Sequence, residues 1–192
     1  MEDLKDVRVL IIDPSGYSKN LLRQILLQLG VQHIEPVTAT TEALDKMRLQ
    51  LFDVVFCDEN CGPLEPADFI RTLRFDLRTQ NVTIPVVMVS SGANFGLVAE
   101  WRDAGGSDVI VKPVSPETIR MRLVSLVLNP KAFVTAKSFI GPDRRRSGDR
   151  RQFGERPGGG AERRQNRADA GVVFTMPRLR AGDAEGEPPV QT

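Results

Sequence analysis

Cysteine is scarce here: Cys57 and Cys61 are the only two in 192 residues. Two thiols, one of them inside an apolar run, cannot staple a disulfide scaffold and are too few for a zinc site. They read as reduced thiols, Cys57 packed and Cys61 in a loop. Histidine is scarcer still, and His33, with no second imidazole to share a metal, reads as a strand-edge surface residue. No stretch reaches ~18 consecutive apolar residues, and Met1–Asp6 is acidic rather than apolar, so we expect a cytoplasmic protein without a membrane span. Net charge is also nearly absent, at +1. That balance hides an asymmetry: from Asp143 to Arg167 nine arginines face four acids, a local net of +5.

From Val7 to Leu128 the chain alternates apolar runs with segments of helical period. Val7–Ile12, Val54–Cys57, Val86–Val89 and Val109–Val111 are β-branched and nearly unbroken, as strands buried on both faces are, and His33–Val37 is a weaker candidate. Leu21, Leu22, Ile25, Leu26 and Leu29 mark one helix, closed by Gly30. Ala43, Leu44 and Met47 mark a second; Phe69, Ile70, Leu73 and Leu77 a third; Leu97, Val98, Trp101 and Ala104 a fourth. Ser115-Pro116-Glu117-Thr118 supplies an N-cap, a first-turn proline and a first-turn acid for a fifth, with Ile119, Leu123, Leu126 and Val127 inward. Five strand–helix units imply an α/β fold, a parallel sheet covered on both faces by right-handed crossovers, with its chemistry at the carboxyl ends of the strands.

The residues at those ends are reactive types. Asp13 follows the first strand, Asp58 the third, Ser90 the fourth and Lys112-Pro113 the fifth. Two carboxylates can share a hard divalent cation, a lysine can pair with an anion and a hydroxyl can donate to it. One carboxylate can also be the nucleophile of aspartyl-phosphate chemistry.

Leu10-Ile11-Ile12-Asp13, Phe52 to Asp58, Pro85 to Ser90, Ala104-Gly105 and Lys112-Pro113 fall in the order and at the separations of one family: over Val7 to about Leu128 the chain resembles the receiver domain of two-component response regulators. The resemblance implies a doubly wound, five-stranded flavodoxin-like sheet in the order 2-1-3-4-5. It implies that Asp58 is the phosphoacceptor, that Asp13, Asp58 and the main-chain carbonyl of Asn60 hold Mg²⁺, that Lys112 and Ser90 contact the phosphoryl group, and that Pro113 follows a cis bond. The partners implied are a histidine kinase or phosphotransfer protein and a downstream protein, with no enzyme activity. Residues 6–128 are then the receiver, 129–140 a linker whose Phe133, Val134, Phe139 and Ile140 can dock on it, and 141–192 an arginine-rich disordered tail.

The sequence departs from the family pattern in three places. Pro14 stands where a second acid is usual, which weakens the Mg²⁺ site. Val109 replaces the usual aromatic switch residue. The loop Glu59–Pro66 lacks the family's usual steps. Trp101 can take up volume freed by Val109, or be an ordinary core tryptophan. These departures keep open a pseudo-receiver, the same fold as a docking module that needs no phosphorylation. A second alternative is an adaptor whose tail binds nucleic acid or acidic surfaces. Nucleic acid is the lesser expectation, since Phe153 is the only aromatic from Asp143 to Arg167. A flavodoxin-like cofactor binder ranks last, because Asp13–Tyr17 is too poor in hydroxyls and glycines to cradle a phosphate.

Overall fold

The computed structural model describes residues 4–136 and 138–144, and the backbone of 171–174. Its order is β1 (Arg8–Ile12), α1 (Gly16–Gln28), β2 (His33–Val37), α2 (Thr40–Leu49), β3 (Val54–Asp58), α3 (Pro66–Phe75), a 3-10 turn (Asn81–Thr83), β4 (Val86–Ser90), α4 (Phe95–Asp103), β5 (Asp108–Val111), α5 (Pro116–Leu128), β6 (Phe133–Ala136), β7 (Phe139–Pro142) and β8 (Gly171–Phe174). The first five strands form the parallel sheet β2-β1-β3-β4-β5 expected of a doubly wound fold.

Alternation along each strand builds the two halves of the core. Leu10, Ile12, Val55, Cys57, Val86 and Met88 face α2, α3 and α4 through Ala43, Leu44, Met47, Phe69, Ile70, Leu73 and Trp101. Their neighbours Val9, Ile11, Val54, Phe56, Val87, Val89 and Ile110 face α1 and α5 through Leu22, Ile25, Leu26, Ile119 and Leu123. Central strands buried on both faces are therefore unbroken apolar runs, as the sequence pattern required. The weak strand β2 lies at the sheet edge, where Pro36 costs no ladder bond within the sheet. Val109 packs against the same half of the core that holds Trp101.

Local signals fix the ends. Ser15, Asn94 and Ser115 cap α1, α4 and α5 by accepting from Ser18, Leu97 and Thr118 amides. Gly30, at φ 92°, closes α1 while the Val31 amide returns to the Leu26 carbonyl. Two assignments to the core need correction. Leu77 lies beyond the end of α3 and is exposed, and Leu21 sits at the edge of the α1 stripe, 41% exposed.

After α5 the chain does not leave the domain. β6 and β7 form an antiparallel hairpin, with β8 on the other side of β6. The hairpin packs by Gly105 and the 3-10 turn, just before β5 and β4, at the end of those strands opposite the rim that carries Asp13 and Asp58. The buried Arg74 on α3 joins the two parts. It donates to the Gly105 carbonyl twice (3.2 and 2.9 Å) and to the Val82 carbonyl (2.9 Å), and its guanidinium lies 5.1 Å from the Phe133 ring centroid. Burial pushes its pKa down to about 9. Gly105, at φ 102°, is required here, because a Cβ would lie 2.3 Å from the Ile140 carbonyl oxygen.

The segment 129–140 thus docks through β6 and β7, and the expected tail boundary at 141 falls inside β7. Arg144, the first arginine of the basic run, donates to the carbonyls of Arg102 and Gly106 and lies over Phe139. The tail beyond it, apart from the four residues of β8, lies outside the described residues. Among the described residues no helix is long and apolar enough to cross a membrane.

Candidate functional site

The parallel sheet brings the strand ends to one rim, and three of the singled-out side chains meet there directly. Asp13 follows β1, Asp58 is the last residue of β3 and Lys112 follows β5. Lys112 Nζ lies 2.5 Å from Asp58 Oδ2 and 3.8 Å from Asp13 Oδ2. Both carboxylates are buried, at 6% and 3% exposure. Each is also held by the chain just after it: the Ser15 amide donates to Asp13 Oδ1 (2.8 Å) and the Asn60 amide to Asp58 Oδ1 (2.9 Å). Lys112-Pro113 is a cis peptide, and so is Gly62-Pro63, which nothing in the sequence singled out.

The electrostatics are those of a site with more negative than positive charge. Burial is the main cause that raises the Asp13 pKa, and the neighbouring Asp58 carboxylate adds to it, while the Ser15 amide, Lys112 and Lys19 oppose it. One ammonium cannot neutralise two buried carboxylates. The residual charge and the all-oxygen donors suit a hard cation such as Mg²⁺, which typically takes one or two carboxylates and keeps several waters. Asp13, Asp58 and the Asn60 carbonyl are the groups that could hold it. Among the described residues no cluster of three or more His, Cys, Asp or Glu side chains could hold a metal, so a third carboxylate is absent there. Pro14, in the place of a second acid, is exposed.

Ser90, the last residue of β4, is completely buried, but its hydroxyl does not reach Asp58. It donates to Glu59 Oε2, while Glu59 Oε1 accepts from the Ser91 amide at 2.7 Å. Sequence reasoning missed this contact. Glu59 carries no pattern signal of its own, and only the pairing of β3 with β4 brings it beside Ser90. Cys61 lies in the loop between β3 and α3, as read from the sequence, but it is packed rather than open. Cys61 is fully buried, with its sulfur 3.0 Å from that of Cys57. Burial, reinforced by that contact, pushes the Cys57 thiol well above its ordinary range. Beside Asp13 and Asp58 opens a cavity of about 270 Å³ whose wall includes Tyr17, Leu21, Leu22, Phe56 and Val114. It leaves the rim accessible next to Lys112.

Known proteins share this fold. The family model for the response regulator receiver domain matches residues 9–124. Over 129 residues the chain is 30% identical to a protein-glutamate methylesterase/protein-glutamine glutaminase of Treponema denticola, an alignment covering 66% of this chain and 34% of that protein. The chain thus spans about a third of the length of that relative. It is 25% identical over 119 residues to the chemotaxis protein CheY-3 of Vibrio cholerae, covering 62% of this chain and 90% of the relative. Among solved structures, the chemotaxis response regulator CheY4 of Vibrio cholerae superposes with a TM-score of 0.56 at 25% identity, over 61% of this chain and 95% of that one. A two-component response regulator from Clostridium difficile superposes with a TM-score of 0.57 at 22% identity, over 65% and 97%, a likeness of fold alone.

Proposed function

The chain belongs to the response regulator receiver family, and from that premise we propose that Asp58 accepts a phosphoryl group from the phosphohistidine of a kinase or phosphotransfer protein. The observation that supports this reading best is the pair Asp58–Lys112, a buried carboxylate with an ammonium 2.5 Å away at an accessible rim. In the transfer, an Asp58 carboxylate oxygen forms a bond to phosphorus as the donor's nitrogen–phosphorus bond breaks, and the donor imidazole leaves with that electron pair. Lys112 then offsets the charge gathered on the phosphoryl oxygens. Mg²⁺, when bound by Asp13, Asp58 and the Asn60 carbonyl, supplies further positive charge to those oxygens. The loss of the second acid at Pro14 makes that binding weaker than a site with three carboxylates would give.

Output passes to a protein partner rather than to nucleic acid. The arginines from 144 to 167 lack the interleaved aromatics of a base-stacking surface, and Arg144 is already engaged by the domain. The alternative, a docking module that needs no phosphorylation, is favoured by Pro14 and Val109.

The decisive experiment is intact-protein mass spectrometry after incubation with Mg²⁺ and acetyl phosphate, beside Asp58→Ala. One added phosphoryl group on the wild type and none on the variant supports the reading. If a receiver with both acids is modified in parallel and this protein is not, the docking module takes its place.

A further inference from the structure

The rim holds two neighbouring carboxylates with separate sets of partners. Asp58 takes Lys112 and the Asn60 amide, whereas Glu59 takes the Ser90 hydroxyl and the Ser91 amide. A serine hydroxyl has one proton to donate. While that proton is donated to Glu59, Ser90 cannot donate it to a phosphoryl oxygen on Asp58. The hydroxyl oxygen is engaged too, accepting from the Gly92 amide at 3.1 Å. Ser90 is completely buried and Glu59 half-buried, so water competes poorly for the contact and a bond to a charged acceptor keeps its strength.

We propose that Glu59 is an anionic latch on the switch hydroxyl, and that a phosphoryl group arriving at Asp58 must evict it before Ser90 can engage. This rests on the reading of Asp58 as phosphoacceptor. The two oxygens of the Glu59 carboxylate accept from two successive donors, Ser90 Oγ and Ser91 N, that lead into the loop before α4. That loop ends at Asn94, whose side chain caps the helix carrying the buried Trp101. The latch therefore fixes the start of the β4–α4 connection on an internal anion in the unphosphorylated protein. Phosphorylation exchanges one anion for another on the same donors, and the energy of breaking the Glu59 contact is subtracted from the affinity of the incoming group.

The probe is beryllofluoride, a stable stand-in for a phosphoryl group on a carboxylate, titrated with saturating Mg²⁺ and followed by fluorine NMR. Wild type, Glu59→Ala, Ser90→Ala and the double variant form a cycle, with circular dichroism to establish that each is folded. Glu59→Ala is expected to bind on the order of ten- to a hundredfold more tightly than wild type, the scale of one hydrogen bond to a charged group. In the Ser90→Ala background the same change should give little or no gain. An equal gain in both backgrounds would mean that Glu59 acts only as a repelling charge, and would overturn the latch. Equal affinity of wild type and Glu59→Ala would also overturn it while leaving Asp58 as acceptor. Binding by none of the four would sink the phosphoacceptor reading, and the latch with it. Amide exchange supplies a check that needs no phosphoryl group. The Ser91 amide should exchange faster in Glu59→Ala than in wild type, and an unchanged rate would refute the contact itself.

Discussion

Arg74→Met tests whether the β6–β7 hairpin is a structural part of the receiver rather than an appendage. Methionine keeps much of the aliphatic volume and removes the guanidinium. The Gly105 carbonyl loses two donors and the Val82 carbonyl one, both inside the fold. Leaving a buried acceptor without its partner costs ~1–3 kcal/mol, in full at Gly105 and in part at the half-buried Val82, so the two carbonyls together account for ~1.5–4 kcal/mol. Loss of the cation over Phe133 adds ~0.5–2 kcal/mol. Relief from burying a charge offsets part of this, and the balance is about 3 kcal/mol of destabilisation. At ~2–4 °C per kcal/mol for a chain of this size, Tm falls by on the order of 10 °C. Urea unfolding measures the energy, and amide exchange locates it. Protection should be lost first across 133–142, while the amides of β1 and β3 stay slow. A loss below ~1 kcal/mol, or uniform loss of protection, would refute the assignment of Arg74 as the joint.

Two further outcomes follow from the charge and burial of the site. Because the fold raises the Asp13 pKa above its ordinary 3.8, native Asp13 holds its proton more tightly than the unfolded chain does. Its ionisation therefore opposes folding, with a cost that sets in as pH rises through this range and is complete above it. Asp13→Asn should raise Tm at pH 7 in EDTA, leave it unchanged well below pH 3.8, and abolish the stabilisation that Mg²⁺ gives the wild type, ~1.4 kcal/mol at ten times Kd. A lower Tm in EDTA at pH 7 would reverse the sign and refute the argument. Cys57 and Cys61, both fully buried, should resist iodoacetamide in the native protein and react at the rate of unfolding as urea is added. Rapid native labelling of Cys61 would place it back in an open loop.

The sheet and the converging set Asp13, Asp58 and Lys112 were legible because each depends on periodic or positional information carried locally, whereas the strand order came from the resemblance to a known family. Apolar runs specify strands buried on both faces, helical spacing specifies the covering layers, and a doubly wound fold brings strand ends to one rim. What could not be read depends on pairs distant in sequence. Glu59 meets Ser90 across 31 positions and Arg74 meets Gly105 across the same separation, and neither pair has a periodic signature. Leu77 was misread because helical spacing continues past Asp76, where the chain has already turned. That turn is held by the Asp76 carboxylate, which accepts from Arg78 and Arg48. Asn81 is a similar case: its side chain serves the Phe52 amide and the carbonyls of Met47 and Gln50, tying the end of α2 and the approach to β3 to the 3-10 turn with one amide group. The hairpin was visible only as leftover apolar residues, since Lys137-Ser138 between its four-residue strands carries none of the Gly or Asn that marks a hairpin.

The departures at the rim gain meaning when taken together. Replacing an acid by Pro14 lowers the negative charge available to a cation, and on its own that makes the buried Asp13–Asp58 pair easier to offset with Lys112 alone. Glu59 returns a carboxylate to the same rim, but on the side of β4 and turned toward Ser90 and Ser91. The third acid of this rim therefore lies on the switch side and not on the metal side. A site arranged this way would have less hold on a cation and more hold on its own loop. With Asp58 as the proposed acceptor, both effects would act in the same direction, toward a receiver whose resting state is deep and whose phosphorylated state needs a strong donor. Removing Glu59 alone should therefore restore more acceptor chemistry than restoring the acid at position 14. Phosphorylation rates of Glu59→Ala and Pro14→Asp with acetyl phosphate compare the two directly. A faster rate for Pro14→Asp would show that the cation, and not the loop, is what limits this receiver.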